Sequence, residues 1–160
     1  LVRNTEEQIG FVEDLIKNYH LIYAEDPVNE DDFESMALIT KRNKNCLITG
    51  DDMLVTSTDR LHDACKYGAC NGAILKVNQA GTLYNALDFA DNCTKNNIKI
   101  ITSHRSGESI DAHISHIAIA TYSKMIKTGV VGGERVSKLN ELLRLSEYDL
   151  IKGMIDLSFN

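Results

Sequence analysis

A single proline, no tryptophan and four cysteines without a CxxC pair are what this 160-residue sequence has least of. With 43% hydrophobic and 25% charged residues around that lone proline, it is neither disordered nor fibrous, and it suffices for one globular unit with a sizeable core. The spacing of Cys46, Cys65, Cys70 and Cys93 argues against a zinc or disulfide role and for small buried apolar side chains in a reducing compartment. No apolar run approaches the length of a membrane span and the first residues carry no signal-peptide pattern, so a soluble, cytoplasmic unit is expected. Positive charge is also in deficit: 17 Lys and Arg stand against 23 Asp and Glu, a net charge of −6 that disfavours nonspecific nucleic-acid binding. The acids gather at Glu30-Asp31-Asp32 and Asp51-Asp52, which suits a divalent cation, although such a cluster more commonly marks a solvated helix start. Leu1 is not an initiator methionine, so the chain is expected to begin inside a longer protein.

What is present is one design repeated five times. The β-branched run 98–102 ends abruptly in Ser103-His104-Arg105-Ser106-Gly107-Glu108, an imidazole, a guanidinium and hydroxyls with a glycine behind them, which are donors for an anion. Four other apolar runs end in polar residues as well: 21–24 in Glu25, 46–50 in Asp51, 72–75 in Lys76 and 124–126 in Lys127. These termini recur about every 25 residues, close to the ~31 residues per unit of an eight-unit barrel.

Between the runs lie helical patterns. Thr5-Glu6-Glu7-Gln8 reads as a capping box ahead of Ile9, Val12, Leu15, Ile16 and Tyr19. Further helices are expected through Met36 after caps at 29–32, from Ser57 or Thr58 to a stop at Gly68, and from Gly81-Thr82 with Leu83, Ala86, Leu87 and Ala90 inward. Another should start at Ser109 with Ile110, Ile114, Ile117 and Ala118 inward, and a last one should carry Val136, Leu139, Leu142 and Leu143. Nearly all-apolar strands alternating with helices mean a parallel sheet covered by helices. Five units cannot close an eight-stranded barrel. The expected fold class is therefore α/β, the C-terminal five βα units of a (β/α)8 TIM-type barrel, an incomplete barrel spanning 1–160 as a single unit.

In such a barrel the strand C-termini converge on one mouth. Glu25 and Asp51 on adjacent strands are then candidate ligands of a hard cation, with helix capping or ion pairing as the plain alternative and Asp26 or Asp52 as the neighbours most easily confused with them. Lys76 faces two acids and, across the mouth, Lys127; a lysine confined among other cations gives up its proton more readily, which makes it a candidate general base, or else a structural partner of an acid. Loops after the last two strands of barrels often bind phosphate, so Arg105 and Ser106, with Gly129 to Gly133 beyond, favour a phosphorylated ligand, and His104 beside them is a candidate contact. His20, His62, His113 and His116 have no such company. Residue types and spacing thus reach a cation-dependent site for a small phosphorylated carboxylate.

Several of these motifs together resemble the enolase family. They are Tyr23-Ala24-Glu25-Asp26-Pro27, Gly50-Asp51-Asp52, Leu75-Lys76-Val77-Asn78-Gln79, Ser103 to Glu108, Ile126-Lys127-Thr128-Gly129 and Gly132-Gly133-Glu134-Arg135, in that order, and the likeness is closest to archaeal-type sequences. The resemblance implies magnesium-dependent, reversible dehydration of 2-phosphoglycerate to phosphoenolpyruvate. It implies Glu25 and Asp51 as two of three metal ligands, Lys76 as the base at C2, Lys127 on the substrate carboxylate, and Arg105 and Ser106 at the phosphate, with His104 lining the same pocket. It also implies a homo-oligomer at full length. The family's third metal aspartate, general-acid glutamate and N-terminal cap belong to sequence ahead of Leu1, so the chain by itself is expected to be inactive. Ser109 stands where the family usually has threonine. Two other readings remain: a noncatalytic half-barrel that binds or assembles, and a sibling acid-sugar dehydratase, which the SHRSGE motif disfavours.

Overall fold

A computed structural model describes residues 2–155. Five strands, β1 (Tyr23–Glu25), β2 (Leu47–Gly50), β3 (Gly72–Leu75), β4 (Lys99–Ser103) and β5 (Met125–Lys127), form one sheet in the order β1-β2-β3-β4-β5. Every neighbouring pair is parallel, with Glu25 opposite Thr49, Gly50 opposite Ala73, Leu75 opposite Thr102 and Ser103 opposite Lys127. Parallel strands laid down in chain order, each joined to the next by a right-handed helical crossover, place all helices on one face. That is the winding of a barrel rather than of an open sheet whose order reverses.

Among the described residues seven helices cover that face: α1 (Thr5–Tyr19), α2 (Phe33–Arg42), α3 (Thr58–Tyr67), the single turn α4 (Val77–Ala80), α5 (Leu83–Lys95), α6 (His113–Ala120) and α7 (Gly133–Ser146). Alternation along the strands sorts the side chains. Cys46, Ile48, Ala73, Leu75 and Ile100 point to the helices and join Met36, Ile39, Leu61, Ala86, Phe89 and Cys93 in one continuous core. The residues between them, Thr49, Ile74 and Ile101, are equally buried but lie on the inner face. The same alternation carries Asp51, Lys76 and Ser103 inward at the tips.

The sheet is curled. Glu25 on β1 and Lys127 on β5 pair at 2.5 Å although four strand spacings separate them. A flat sheet would hold those strands ~19 Å apart, beyond what a glutamate and a lysine jointly span. The five strands are therefore a curled half-barrel, with its inner face toward the barrel axis. Burial follows position: β2 and β3 are wholly buried, whereas β1 and β5 at the edges are only half-buried.

Curling brings the inner face into close contact at Gly72. A Cβ there would overlap Thr49 Oγ1 on the register-paired strand. Gly72→Ala is expected to destabilise the chain by ~1–3 kcal/mol, the usual cost of overpacking, read as a lower urea midpoint at unchanged m-value.

Local signals explain most boundaries. The first capping box forms one residue earlier than the sequence suggests, with Asn4 as N-cap and Glu7 closing it, because Asn4 Oδ1 reaches Glu7 N at 2.9 Å. Asp32, Ser57 and Thr82 cap α2, α3 and α5, and Gly68 ends α3 in the left-handed region. Two expectations are corrected. Helix α6 begins at His113, so Ile110 lies outside it and is 79% exposed, since Ser109 and Asp111 form a polar turn instead of a cap. On α5 the buried stripe is Ala86, Phe89, Ala90 and Cys93, with Leu83 and Leu87 exposed. The apolar stripe of α7 is likewise only partly covered, Leu143 being 68% exposed while Leu139 and Leu142 are half-buried. Residues 148–155 of the tail are mostly exposed, and its last residues lie outside the described ones.

Candidate active site at the strand tips

Each strand hands one side chain to the mouth. Lys76 Nζ forms an ion pair with Asp51 Oδ2, and Lys127 Nζ pairs with Glu25 Oε2 at 2.5 Å. Tyr23, two residues before Glu25 and on the same face, donates its hydroxyl to the same Oε2 at 2.5 Å. Neither bond uses Oε1.

Asp26 resolves the ambiguity at the tip of β1. Its backbone sits at φ 40°, which swings its carboxylate sideways to accept Asp51 N on Oδ1 and Asp52 N on Oδ2, both at 3.0 Å. Both of its oxygens are thus engaged in holding the β2 tip. Asp52, exposed, plays no comparable part.

Glu25, Asp26 and Asp51 bring carboxylate oxygens within 4.8 Å of one another. Burial raises Asp51 and the adjacent Glu25 raises it further, against the pull of Lys76. Burial works to raise Glu25 too, but the hydrogen bonds from Lys127 and Tyr23 outweigh it and hold Glu25 below its ordinary value. Asp51 Oδ1 is buried without a hydrogen-bond partner. A buried, unsatisfied carboxylate oxygen beside a second carboxylate is costly unless something positive meets it. Hard oxygen donors of this kind suit a hard divalent cation.

The loop after β4 flanks this cluster and is fastened from α7. Arg135 holds the loop through three contacts: to His104 Nδ1, to Arg105 O at 2.9 Å and to Ser106 O at 3.0 Å. His104 N donates to Lys127 O at 2.9 Å, tying the loop to β5. Burial lowers His104, and the Arg135 guanidinium lowers it further, favouring the neutral ring. Arg105 and Ser106 are exposed on the rim, where Arg105 Nη1 donates to Asn78 Oδ1 at 3.3 Å. A cleft of about 480 Å³ opens beside them, lined by Thr56, Ser57, Gln79, Asn85 and Arg105.

Below the loop Lys138 is completely buried, with 0% side-chain exposure. Its Nζ pairs with Glu108 Oε2 at 3.0 Å and donates to Ser109 O at 2.5 Å and Asp111 O at 2.6 Å. Burial pushes Glu108 up, but the hydrogen bond from Arg105 N and the charge of Lys138 outweigh it, so its folded value lies below its ordinary 4.5. The stability that Glu108 contributes is present above 4.5 and is lost as the pH falls through its lowered folded value. Acid titration followed by circular dichroism should show the wild-type advantage over Glu108→Gln present at neutral pH and vanishing below that point.

Glu25, Asp51, Lys76, His104 and Lys127 are thus gathered at one end of the sheet, with Arg105 and Ser106 on its rim. Tyr23, Asp26, Arg135 and Lys138 were not singled out as site residues by sequence reasoning. Tyr23 and Asp26 carried a readable signal, lying two residues before and one after Glu25, whereas Arg135 and Lys138 reach the loop only through the packing of α7. The four cysteines are free thiols, and burial pushes Cys46 up to about 11 and Cys70 up to about 12, the values of unreactive core thiols.

A singly wound, curled parallel sheet with its polar side chains at the strand C-termini defines a (β/α)-barrel protein, represented here by five of its units. The chain belongs to the enolase family: the family model described as "Enolase, C-terminal TIM barrel domain" matches residues 2–153. It is 47% identical to an enolase of Natronomonas pharaonis over 144 residues, 89% of this chain and 36% of that protein. It is 46% identical to an enolase of Archaeoglobus fulgidus over 143 residues, 89% of this chain and 36% of that protein. An enolase of Methanosphaera stadtmanae matches at 45% over 156 residues, 97% of this chain and 38% of its own length. The chain therefore spans little more than a third of the length of these relatives. Among the described residues no helix is long and apolar enough to cross a membrane.

Proposed function

We propose that residues 1–160 are the C-terminal portion of an enolase barrel domain and that the full-length protein interconverts 2-phosphoglycerate and phosphoenolpyruvate. The observation that carries this reading is the Asp51–Lys76 ion pair lying beside Glu25 at the strand tips, an amine and two carboxylates on one face. Lys76 Nζ takes the proton from C2, and the electron pair of that C–H bond moves into the carboxylate as an enolate. Collapse of the enolate expels the C3 hydroxyl, which leaves as water once protonated by an acid outside this chain. Bound magnesium, held by Glu25 and Asp51, would supply positive charge to offset the developing enolate. Lys127 binds the carboxylate end, with Glu25 and Tyr23 fixing where its ammonium sits. Arg105 and Ser106 hold the phosphate, with His104 beside them, and Arg135 keeps all three on one rigid loop. The full-length protein is a homo-oligomer.

Purified chain 1–160 with magnesium and 2-phosphoglycerate should form no phosphoenolpyruvate by absorbance, while the full-length protein should turn over. Turnover by the isolated chain would place the proton donor within these residues and overturn the assignment. Failure of the full-length protein to turn over would favour the noncatalytic half-barrel.

A further inference from the structure

The turn after β2 carries backbone geometry that its sequence resists. Val55 and Thr56, both β-branched, adopt φ 43° and φ 51°, the left-handed region that such residues rarely enter. The conformation is held from below, where Met53 and Leu54 are buried in the core, and from the start of the turn, where Asp51 O accepts Val55 N at 2.7 Å and Leu54 N at 3.2 Å.

Its outcome is the placement of one hydroxyl. Thr56 is buried, and its Oγ1 accepts the backbone N–H of Lys76 at 3.0 Å while donating to Gln79 Oε1 at 2.9 Å. The β2–β3 ladder ends at Gly50 and Ala73, so no strand neighbour on that side is paired with Lys76. The turn thus begins on the backbone of Asp51 and ends on the backbone of Lys76, while the two side chains close the ring through their own ion pair. Strain concentrated where a structure fixes a reacting group is a recognised pattern.

We propose that Thr56 is a positioning residue: the strained 51–56 turn uses its hydroxyl to lock the backbone of Lys76, setting the reach of the base relative to Asp51. The inference rests on Lys76 being the base. It is tested in the full-length protein with 2-phosphoglycerate by measuring kcat, KM and exchange of the C2 proton with deuterated water. Thr56→Val, which keeps the shape and removes the hydroxyl, should lower kcat and exchange together by about tenfold with KM within about twofold, the pattern of a misplaced base. Thr56→Ser should restore both to within about twofold of wild type. Should Thr56→Val not fold, Thr56→Ala also removes the hydroxyl and should lower kcat in the same direction with KM held. Unchanged kcat in whichever of these two variants folds, or a Thr56→Ser protein as slow as Thr56→Val, overturns the inference. Lys76→Met separates the two levels: exchange abolished there leaves the base assignment standing whatever Thr56 does, and exchange surviving there removes both.

Discussion

Lys76→Met in the full-length protein is expected to lower turnover by about 10³-fold or more, near the upper range for loss of a positioned general base. Methionine keeps the aliphatic stem packed while deleting the amine, so the loss reports chemistry rather than collapse of the mouth. Exchange of the C2 proton should fall by the same factor. Binding of inorganic phosphate should persist, because the Arg105 loop is held by Arg135 and not by Lys76. Asp51 sharpens the expectation. Burial and Glu25 raise it and Lys76 is the group pulling it down, so without Lys76 its carboxyl holds a proton more tightly. Magnesium affinity in the variant should therefore depend more steeply on pH, weakening as the pH falls. Calorimetric titration at two pH values reads this directly, and proton exchange that survives in Lys76→Met would place the base elsewhere.

Lys138→Ala is expected to cost ~3–5 kcal/mol of stability, the range for leaving one member of a buried ion pair unpaired. The amine satisfies three acceptors at once, the Glu108 carboxylate and the carbonyls of Ser109 and Asp111, and none of them has another cation close by in the contacts described above. Against a typical domain stability of about 5–15 kcal/mol, that loss is large. The variant Lys138→Met with Glu108→Gln removes both charges and should recover much of the stability. A double-mutant cycle by urea denaturation separates the pair term from the packing term. Because Glu108 also accepts Arg105 N at 2.9 Å, the single variant should raise KM for 2-phosphoglycerate as well. A Lys138→Ala protein as stable as wild type would mean that water satisfies these groups at no cost.

Much of the site lay open in the linear order because a barrel converts a period into a place. Polar residues at 25, 51, 76, 104 and 127 sit directly on strand tips, and parallel strands in chain order set those tips side by side. Partners were less legible. The pairing of Glu25 with Lys127 joins residues 102 apart and depends on how far the sheet curls, a quantity no local pattern encodes. No local pattern marks Lys138 as a core residue, and only the seating of α7 beneath the β4 loop buries it. The error at Ile110 has the same origin: helical spacing made it a core residue, while Ser109 and Asp111 spent their side chains on each other.

The sequence by itself determined the strand-helix alternation, the cap regions at 29–32, 57–58 and 81–82, the parallel sheet and the polar tips, because backbone propensity, capping and apolar periodicity act over a few residues. Tertiary structure alone decided which charges meet, that Asp51 Oδ1 is left without a partner, that Asp26 braces its neighbour, and that a strained turn delivers Thr56 to the backbone of Lys76. Those outcomes depend on sheet curvature and helix seating, which are set by the sum of many weak packing contacts.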